Sequence, residues 1–336
     1  MAILVTGGTG FIGSHSVVAL QQAGEEVIII DNLSNSSAQV VDNIFRITWK
    51  RPIFVQGDVR DAMLLERMFH DYPITWVMHF AAKKAVGESC LDPWSYYEVN
   101  IQGLVTLLQA MQTCGVSRIV FSSSAAIYDT TASQSPFDES ALTGNCFSPY
   151  GTTKRVAEAI LRDWILHLWG QAIALRYFNP IGAHECGLLG EDPLQPPTNL
   201  LPVIFQVVQG KRELVEIFGA DYPTPDGTCI RDYLHIMDVA QAHVFARQRL
   251  MWQTMPIYEV CNLGTGQGTS VLELIAIVES ALARKVTYRI SNPRMGDVAV
   301  VYANPTKAKQ VLQRQASYSI AQAVKDGRKF LQSATA

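Results

Sequence analysis

A tyrosine and a lysine four residues apart, Tyr150 and Lys154, are the pair in this sequence with the clearest chemical potential. In a helix this spacing places the phenol and the ammonium group on one face. A phenol with its ordinary pKa of about 10 is a poor base at neutral pH, and moving that pKa to near 7 requires about 4 kcal/mol of preferential stabilisation of the phenolate. Positive charge in a dry pocket can supply it. The pair therefore indicates proton abstraction by a tyrosine, or else two unrelated surface residues, because the spacing also occurs by chance.

A serine upstream of this pair could act on the same proton. Ser124 ends the run Ser122-Ser123-Ser124, which follows an apolar segment at 118–121 that is typical of a strand. Ligand-facing residues belong at the carboxyl ends of such strands in parallel sheets. A hydroxyl there can hydrogen-bond the oxygen that the tyrosine deprotonates. The alternative is a cap or turn serine, and the downstream Tyr150 and Lys154 favour chemistry.

A glycine-rich loop at residues 6–13 is typical of a dinucleotide site. Gly7 allows a tight turn, Gly10 lets the backbone approach a pyrophosphate, and Gly13 lets helix and strand pack closely. The helix N-terminus offers free N–H groups to the phosphates. Asp31 ends the next apolar run, where its carboxylate can accept both hydroxyls of a ribose and would repel a 2′-phosphate. The loop and this acid together predict NAD rather than NADP.

The elements that must position these residues alternate between strand and helix in the first half of the chain. Apolar runs without polar alternation predict strands covered on both faces. Alternation of this kind predicts an α/β fold with a Rossmann-type, doubly wound parallel sheet. The predicted strands are residues 2–5, 27–30, 52–55, 76–80, 118–121 and 172–176, and the first predicted helix is 11–23.

The second half of the chain changes texture after Asn179. Residues 182–227 are rich in Pro, Gly and Asp and contain one helix-like run, 202–209. This predicts an irregular, ligand-covering segment, and a helix (236–246), a strand (258–262) and two amphipathic helices follow it. We therefore expect two interleaved lobes. The cofactor lobe comprises residues 1–178 and 233–262, and a smaller substrate lobe comprises residues 179–232 and 263–336.

Composition excludes several classes of protein. The 336 residues are 48% hydrophobic and carry a net charge of −3, which gives no electrostatic case for binding nucleic acid or a membrane surface. Six cysteines are scattered with no CxxC pair and no His at metal-ligand spacing, so we expect reduced thiols, no metal and a cytoplasmic location. We also expect no signal peptide and no bilayer-spanning segment.

These motifs coincide with those of a known family. The chain resembles the extended short-chain dehydrogenase/reductases and, among them, the UDP-galactose (UDP-glucose) 4-epimerases, over nearly its full length. The resemblance rests on residues 6–13, 31–33, 57–60, 84–89, 122–124, 150–154, 176–180, 199–202, 217–219, 226–228, 231–233 and 293–297.

The resemblance implies a role for each matching residue. Ser124, Tyr150 and Lys154 are implied to be catalytic. The implied NAD contacts lie along the sheet edge, and Lys84 and Lys154 are implied to touch ribose or pyrophosphate oxygens. The implied cofactor-binding residues are Gly7, Gly10, Phe11, Ile12, Gly13, Asp31, Asn32, Asn35, Ser36, Asp58, Val59, Phe80, Ala81, Lys84, Asn100, Tyr177 and Phe178.

A second implied set holds the UDP-sugar. Two arginines suit a pyrophosphate, Phe218 offers a face near uracil, and Asp297 can accept from ribose hydroxyls. The implied substrate-binding residues are Ser124, Tyr150, Asn179, Asn199, Leu200, Phe218, Arg231, Arg294, Asp297 and Val301. The family position of Val301 is implied to limit the sugar, since a tyrosine there excludes N-acetyl sugars and a smaller residue admits them.

The implied reaction is inversion at C4 through a 4-keto sugar, with NAD recycled within each turnover. A 4,6-dehydratase or a decarboxylase is the nearest rival, but Ala125-Ala126 follow Ser124 and supply no carboxylate for dehydration. A non-catalytic NAD-binding regulator and a dehydrogenase that releases NADH are further alternatives. The resemblance also implies a homodimer formed through paired helices, one of which carries Tyr150.

Overall fold

A computed structural model describes residues 1–294 and 297–333. Met295 and Gly296, in the 293–297 motif, and residues 334–336 lie outside the described residues. The strands are β1 (Ala2–Thr6), β2 (Glu26–Asp31), β3 (Ile53–Gln56), β4 (Ile74–His79), β5 (Arg118–Ser124), β6 (Gln171–Tyr177), β7 (Asn179–Ile181), β8 (Val215–Phe218), β9 (Ile230–Arg231), β10 (Tyr233–His235), β11 (Ile257–Leu263), β12 (Thr269–Ser270), β13 (Tyr288–Ser291) and β14 (Val300–Val301).

Helices connect most of these strands. A π-helical turn (Glu98–Gln102) precedes α6 and a 3₁₀ turn (Ala125–Ile127) follows β5. The α-helices are α1 (Phe11–Gln22), α2 (Gln39–Thr48), α3 (Ala62–Asp71), α4 (Val86–Leu91), α5 (Pro93–Tyr97), α6 (Gly103–Thr113), α7 (Pro149–Leu168), α8 (Leu200–Val208), α9 (Ile236–Met251), α10 (Val271–Leu282), α11 (Thr306–Val311) and α12 (Ile320–Ser333).

Seven parallel strands form the central sheet, in the order β11-β6-β5-β4-β1-β2-β3. The predicted doubly wound parallel sheet is confirmed. The strand order reverses between β1 and β4, and ligands bind at the carboxyl ends of strands that flank such a point. This crevice is where the glycine loop after β1 meets the loop after β4.

The central strands are buried on both faces, as their unbroken apolar runs require. Every residue of β1 and of β6 is buried. One face packs against α1 and α9, with Val17 and Val239 in the core. The other packs against α3, α6 and α7, with Leu65 and Leu161 in a second core. The continuous hydrophobic strands thus fix a three-layer arrangement whose open edge carries the loops.

A third core lies outside the sheet and is built from α8, α10, α12 and β8. Its members include Ile204, Ile217, Leu274 and Val324. The chain enters this region through β7, which pairs in parallel with β10. Leu189, from the segment between β7 and α8, packs into the core beside α1 and α9. The two proposed lobes therefore contribute side chains to the same hydrophobic core, and their boundaries stay a prediction.

Some short elements were not predicted from the sequence. The sequence predicted residues 182–227 to be irregular apart from one helix, but Val215–Phe218 forms a strand that pairs with β13. Its two inward residues are buried and Glu216 is exposed, so four residues gave too little periodicity to detect. The tail likewise contains the six-residue α11 besides the two predicted helices.

Candidate active site

The glycine loop has the geometry that the sequence predicted. Gly7 has φ of +69°, and a Cβ there would lie 2.6 Å from the Ala81 nitrogen. A Cβ on Gly13 would overlap the Gly7 carbonyl oxygen. On Gly10, a Cβ would meet only that same oxygen, at 3.3 Å. Gly7 and Gly13 therefore serve the turn itself, whereas Gly10 leaves an open surface at the start of α1, where Phe11 and Ile12 follow.

Asp31 is held at the edge of this loop, as predicted. Its Oδ2 accepts from the Thr9 nitrogen at 3.1 Å, and its Oδ1 accepts from the Leu33 nitrogen at 2.9 Å and the Ser36 hydroxyl at 3.3 Å. Ser36 also hydrogen-bonds the Thr9 hydroxyl, at 2.7 Å. A fixed carboxylate beside a phosphate-binding turn is placed to take ribose hydroxyls.

Asp58 closes the neighbouring strand end. Its carboxylate accepts from Asn32 at 2.9 Å and pairs with Arg60 through two contacts of 2.9 Å. The Arg60 guanidinium lowers the pKa of Asp58 to about 2. The Val59 side chain lies instead in the second core. Any contact of Val59 with adenine must therefore come from its backbone.

The loop after β4 forms the second side of the crevice. The Ala81 nitrogen donates to the Thr6 hydroxyl at 3.3 Å, and that hydroxyl hydrogen-bonds His79 Nδ1 at 2.7 Å. The Phe80 ring lies 4.7 Å from the ring of His243 in α9. These contacts hold the loop after β4 in place.

The side chains of Asn100 and Tyr177 are buried and hydrogen-bonded within the protein. Asn100 is buried in the π-helical turn, and its amide bonds the backbone of Lys83 and the Thr153 hydroxyl. The Tyr177 hydroxyl lies 2.6 Å from His243 Nε2. Both side chains hold the walls of the crevice, and their predicted contact with NAD remains a prediction.

The predicted catalytic residues lie together at the carboxyl end of β5. Ser124 is the last residue of β5, and its hydroxyl also accepts from the Ala126 nitrogen at 3.1 Å, so it serves as a cap as well. Tyr150 is the second residue of α7, which Ser148 caps by accepting from the Gly151 nitrogen. Lys154 is buried one turn later, and its Nζ donates to the Ser122 carbonyl oxygen at 2.7 Å. Helix and strand thus bring the three side chains to one edge.

The surroundings of Tyr150 and Lys154 shift the pKa values of these two residues in opposite directions. Burial raises the pKa of Tyr150, and a hydrogen bond from Ser124 partly opposes that shift. Burial lowers the pKa of Lys154 to about 7, while the Glu158 carboxylate opposes the change. Desolvation disfavours charge on both groups. A positively charged ring beside Tyr150 would favour the phenolate.

A buried ion pair supports this helix from behind. Glu158 binds Arg176 through two contacts, 2.9 and 2.7 Å, and accepts from Ser123 at 2.5 Å. Arg176 also donates to the Tyr128 hydroxyl, at 2.9 Å. The network ties α7 to β5 and β6, and a buried pair with all partners in place keeps a fixed geometry.

Four residues predicted to hold the UDP-sugar lie close together. The Arg294 guanidinium lies 4.5 Å from the Phe218 ring centroid and pairs with Asp297 at 2.9 Å. Arg231 lies 3.9 Å from the same carboxylate and donates to the Val298 carbonyl oxygen at 2.7 Å. Two guanidinium groups beside an aromatic face suit a nucleoside diphosphate.

Val301 lies between this cluster and the crevice. It pairs with Arg231 across the β14–β9 ladder and packs against the fourth core cluster, which contains Phe178 and Tyr128. Asn179 begins β7 next to Phe178, and its nitrogen donates to the Asp232 carbonyl oxygen at 2.9 Å. The structure therefore joins Val301, the position predicted to limit the size of the sugar, to Phe178, which is predicted to bind the cofactor.

Asn199 and Leu200 start α8 and lie beside a residue that the sequence analysis missed. The Asn199 amide donates to Glu191 at 2.6 Å, and Lys84 pairs with the same carboxylate at 2.6 Å. Asn35 accepts from the Leu194 nitrogen at 3.1 Å. The segment between β7 and α8 thus touches residues predicted to bind cofactor and residues predicted to bind substrate.

Other supporting residues were also missed. Glu158 stands four residues after Lys154, a helical spacing that the sequence does display. For Glu191 and His243 no local signal exists, because their partners are distant in the chain. Thr6 and His79 end adjacent parallel strands, and that pairing follows only from the sheet order.

The glycine turn, with its open face at Gly10 and Asp31 at its edge, fits the pyrophosphate and ribose of a dinucleotide. Among residues 1–294 and 297–333, no group of three or more His, Cys, Asp or Glu side chains could hold a metal ion. The six cysteines are free. No helix in the described part of the chain has the length and apolar character needed to cross a membrane.

Comparisons with known proteins agree with this geometry. Residues 3–264 match the NAD dependent epimerase/dehydratase family. The chain is 45% identical over 331 residues to a UDP-glucose 4-epimerase of Neisseria meningitidis serogroup C, which spans 96% of this chain and 95% of the relative.

Solved structures match equally well. A UDP-glucose 4-epimerase from Stenotrophomonas maltophila, with bound NAD and formylated UDP-arabinopyranose, superposes with a TM-score of 0.96 at 45% identity, over 100% of this chain and 99% of that one. The Bifidobacterium longum enzyme, in complex with NAD+ and UDP, has a TM-score of 0.95 at 42% identity, over 99% and 98%. The chain belongs to the NAD dependent epimerase/dehydratase family.

Proposed function

We propose that this protein inverts the configuration at C4 of a UDP-hexose and so interconverts UDP-glucose and UDP-galactose with bound NAD. One observation carries the assignment. Ser124, Tyr150 and Lys154 lie at the sheet edge that also carries the dinucleotide turn, and Val301, which pairs with Arg231 of the nucleoside-diphosphate cluster, packs against the Phe178 cluster. This arrangement supports binding of the sugar between a base and a hydride acceptor.

Tyr150 is the proposed base that takes the proton from the 4-hydroxyl. NAD, which the glycine turn and Asp31 would hold, would supply the acceptor and the donor of the hydride at C4. Ser124 hydrogen-bonds the 4-oxygen of the sugar. The Lys154 ammonium group, one helical turn from the phenol, provides the positive charge that stabilises the phenolate. Tyr150 then gives the proton back to the same oxygen. The 4-keto sugar rotates in the site between the two hydride transfers. The hydride therefore returns to the opposite face of C4, and the product has the inverted configuration.

The sugar must rotate while the nucleotide stays in place. Arg231, Arg294 and Phe218 support an anchor on UDP alone, which leaves the hexose free to turn. Binding free energy concentrated on the nucleotide suits this requirement, because contacts to the sugar that differed between its two orientations would favour one epimer.

Dehydration is not favoured. That reaction needs an acid and a base next to the catalytic hydroxyl to remove the C5 proton and the 6-hydroxyl. Here Ala125 and Ala126 form the turn after Ser124 and bring no carboxylate.

We also propose that N-acetylhexosamines are accepted. Val301 is half-buried between the Phe178 cluster and Arg231. A valine leaves more room there than a tyrosine would, and this supports entry of a 2-acetamido group.

The proposed assembly is a homodimer in the cytoplasm. Leu91 and Trp94 expose 88% and 75% of their surface on α4 and α5, which contact α7. Exposed large apolar side chains next to the Tyr150 helix support an interface there.

The test is an equilibration assay on purified protein with no added NAD. Conversion of UDP-glucose to UDP-galactose, together with bound NAD(H) in the absorbance spectrum, is the expected result. Net release of NADH without equilibration of the two UDP-hexoses would refute the assignment in favour of a dehydrogenase.

A further inference from the structure

One carboxylate oxygen joins the proposed cofactor side of the crevice to the proposed substrate side. Glu191 Oε1 lies 2.6 Å from Lys84 Nζ and 2.6 Å from Asn199 Nδ2. The Glu191 side chain is only 9% exposed, whereas that of Lys84 is 48% exposed. The more buried Glu191 carboxylate is therefore the partner that Lys84 and Asn199 share, and it links the position of the more exposed ammonium group to that of the Asn199 amide.

The segment that carries Glu191 is itself anchored to the cofactor lobe. Asn43 in α2 donates to the Leu188 carbonyl oxygen at 3.1 Å, and the Leu194 nitrogen donates to Asn35 at 3.1 Å. Between these points Leu189 is buried in the main core. Contacts on both sides of Glu191 hold its backbone in place, so this carboxylate is a built feature and not a loose surface charge.

We propose that Glu191 is a positioning residue that couples retention of NAD to affinity for the UDP-sugar. The inference rests on the proposed function, in which Lys84 contacts the cofactor and Asn199 contacts the substrate. One N–H of the Lys84 ammonium is taken by Glu191, which leaves two to donate to phosphate or ribose oxygens. The contact to Asn199 fixes the orientation of its amide and leaves the carbonyl oxygen and one N–H for the substrate.

Coupling between two sites is reciprocal. If bound NAD orders Lys84, it also orders Glu191 and hence Asn199, and the UDP-sugar then meets an amide that is already oriented. By linkage, the UDP-sugar must strengthen the hold on NAD by the same factor. A resident cofactor that is held most firmly while the sugar is being oxidised and reduced would follow from this contact.

The negative charge of Glu191 distinguishes the positioning role from a purely electrostatic role. A carboxylate near a pyrophosphate repels it, so a purely electrostatic role would make the neutral variant bind NAD more tightly. The positioning role predicts the opposite sign. The half-exposed Lys84 keeps the electrostatic contribution small, because solvent screens such pairs.

The experiment compares Glu191→Gln with a matched control, Glu259→Gln. Glu259 is likewise a mostly buried carboxylate paired with a partly exposed cation, Arg249 at 3.0 Å, but it lies away from the crevice. We measure NAD(H) per chain after dilution and gel filtration, the Kd for UDP by calorimetry on NAD-loaded protein, and kcat and KM for UDP-glucose.

In Glu191→Gln we expect both NAD retention and UDP affinity to fall about 5- to 20-fold, with KM rising more than kcat falls. The control should match the wild type in all four values. A loss of only one affinity, no loss, or tighter retention of NAD would overturn the coupling. A wild-type protein that carries no NAD and does not bind UDP would instead overturn the proposed function.

Two further variants keep the inference testable if Glu191→Gln folds poorly. Lys84→Met should weaken UDP binding, because Lys84 shares the Glu191 carboxylate with Asn199. Asn199→Ala, on the substrate side, should lower NAD retention. An Asn199→Ala protein that keeps wild-type NAD retention would contradict the coupling.

Discussion

The Lys154 ammonium lies 6.0 Å from the centroid of the Tyr150 ring, one turn further along α7. Its contact with the Ser122 carbonyl oxygen holds it against β5, so the position of this charge is set by strand as well as helix. Because burial lowers the pKa of Lys154 to about 7, the neighbouring Glu158 and the network behind it help to keep the ammonium charged. The base and its cation are therefore positioned by the same two elements.

Replacing Tyr150 with Phe should remove the base without disturbing the crevice. We expect kcat to fall about 10²- to 10⁴-fold, the range typical of a lost general base, while NAD stays bound. The measurement is UDP-hexose equilibration, with NAD content read from the same sample. Tyr288→Phe, at a half-exposed tyrosine on β13, is the control. Near-normal turnover in Tyr150→Phe would refute the assignment of this residue.

The sequence predicted the chemistry at the sheet edge better than the structure that supports it. Gly7, Gly13 and Asp31 could be assigned because local turn and strand-end geometry determines their roles. Glu191 could not, since its partners Lys84 and Asn199 are brought to it only by the path of the chain across the crevice. The hydrogen bond between Tyr177 and His243 could not be predicted either, because it depends on how α9 packs on β6.

Three buried histidines should make the fold sensitive to acid. Burial lowers the pKa values of His15 and His79 to about 3 and that of His243 to about 4. The unfolded chain, with histidine pKa values of about 6.5, binds more protons than the folded chain between these limits, so stability falls as pH is lowered below 6.5. At about pH 5 each histidine accounts for a loss of about 2 kcal/mol.

Urea unfolding of the wild type and of His243→Gln at about pH 7.5 and pH 5 measures this effect. The glutamine amide can still accept from Tyr177 and does not titrate in this range. The variant should therefore lose about 2 kcal/mol less than the wild type between the two pH values, whatever its overall stability. If the variant and the wild type lose the same free energy of unfolding between the two pH values, the assignment of this acid sensitivity to His243 is contradicted.

The exposed apolar side chains on α4 and α5 predict where the proposed homodimer would form. Trp94→Glu places a charge in that surface, and a charge buried in an interface without a partner is strongly unfavourable. We expect monomers by light scattering at micromolar concentration, with the fold intact by circular dichroism. Trp49→Glu alters a residue that is 80% exposed beside α2 and should remain dimeric. A monomeric wild type, or a dimeric Trp94→Glu, would place the proposed interface in doubt.

The size of the residue at position 301 should decide which sugars enter. Val301→Tyr adds a ring between the Phe178 cluster and Arg231, and overfilling of a packed site typically costs about 1–3 kcal/mol. Turnover of the UDP-N-acetylhexosamine pair should therefore fall about 10- to 100-fold, while the UDP-hexose pair changes little. Val300→Tyr is the control, because successive strand residues point to opposite faces. If the wild type fails to interconvert the N-acetyl pair while it interconverts the hexoses, Val301 does not set the sugar size. If Val301→Tyr slows both pairs equally, the ring disturbs the anchor for UDP through Arg231 and leaves sugar selection to other residues.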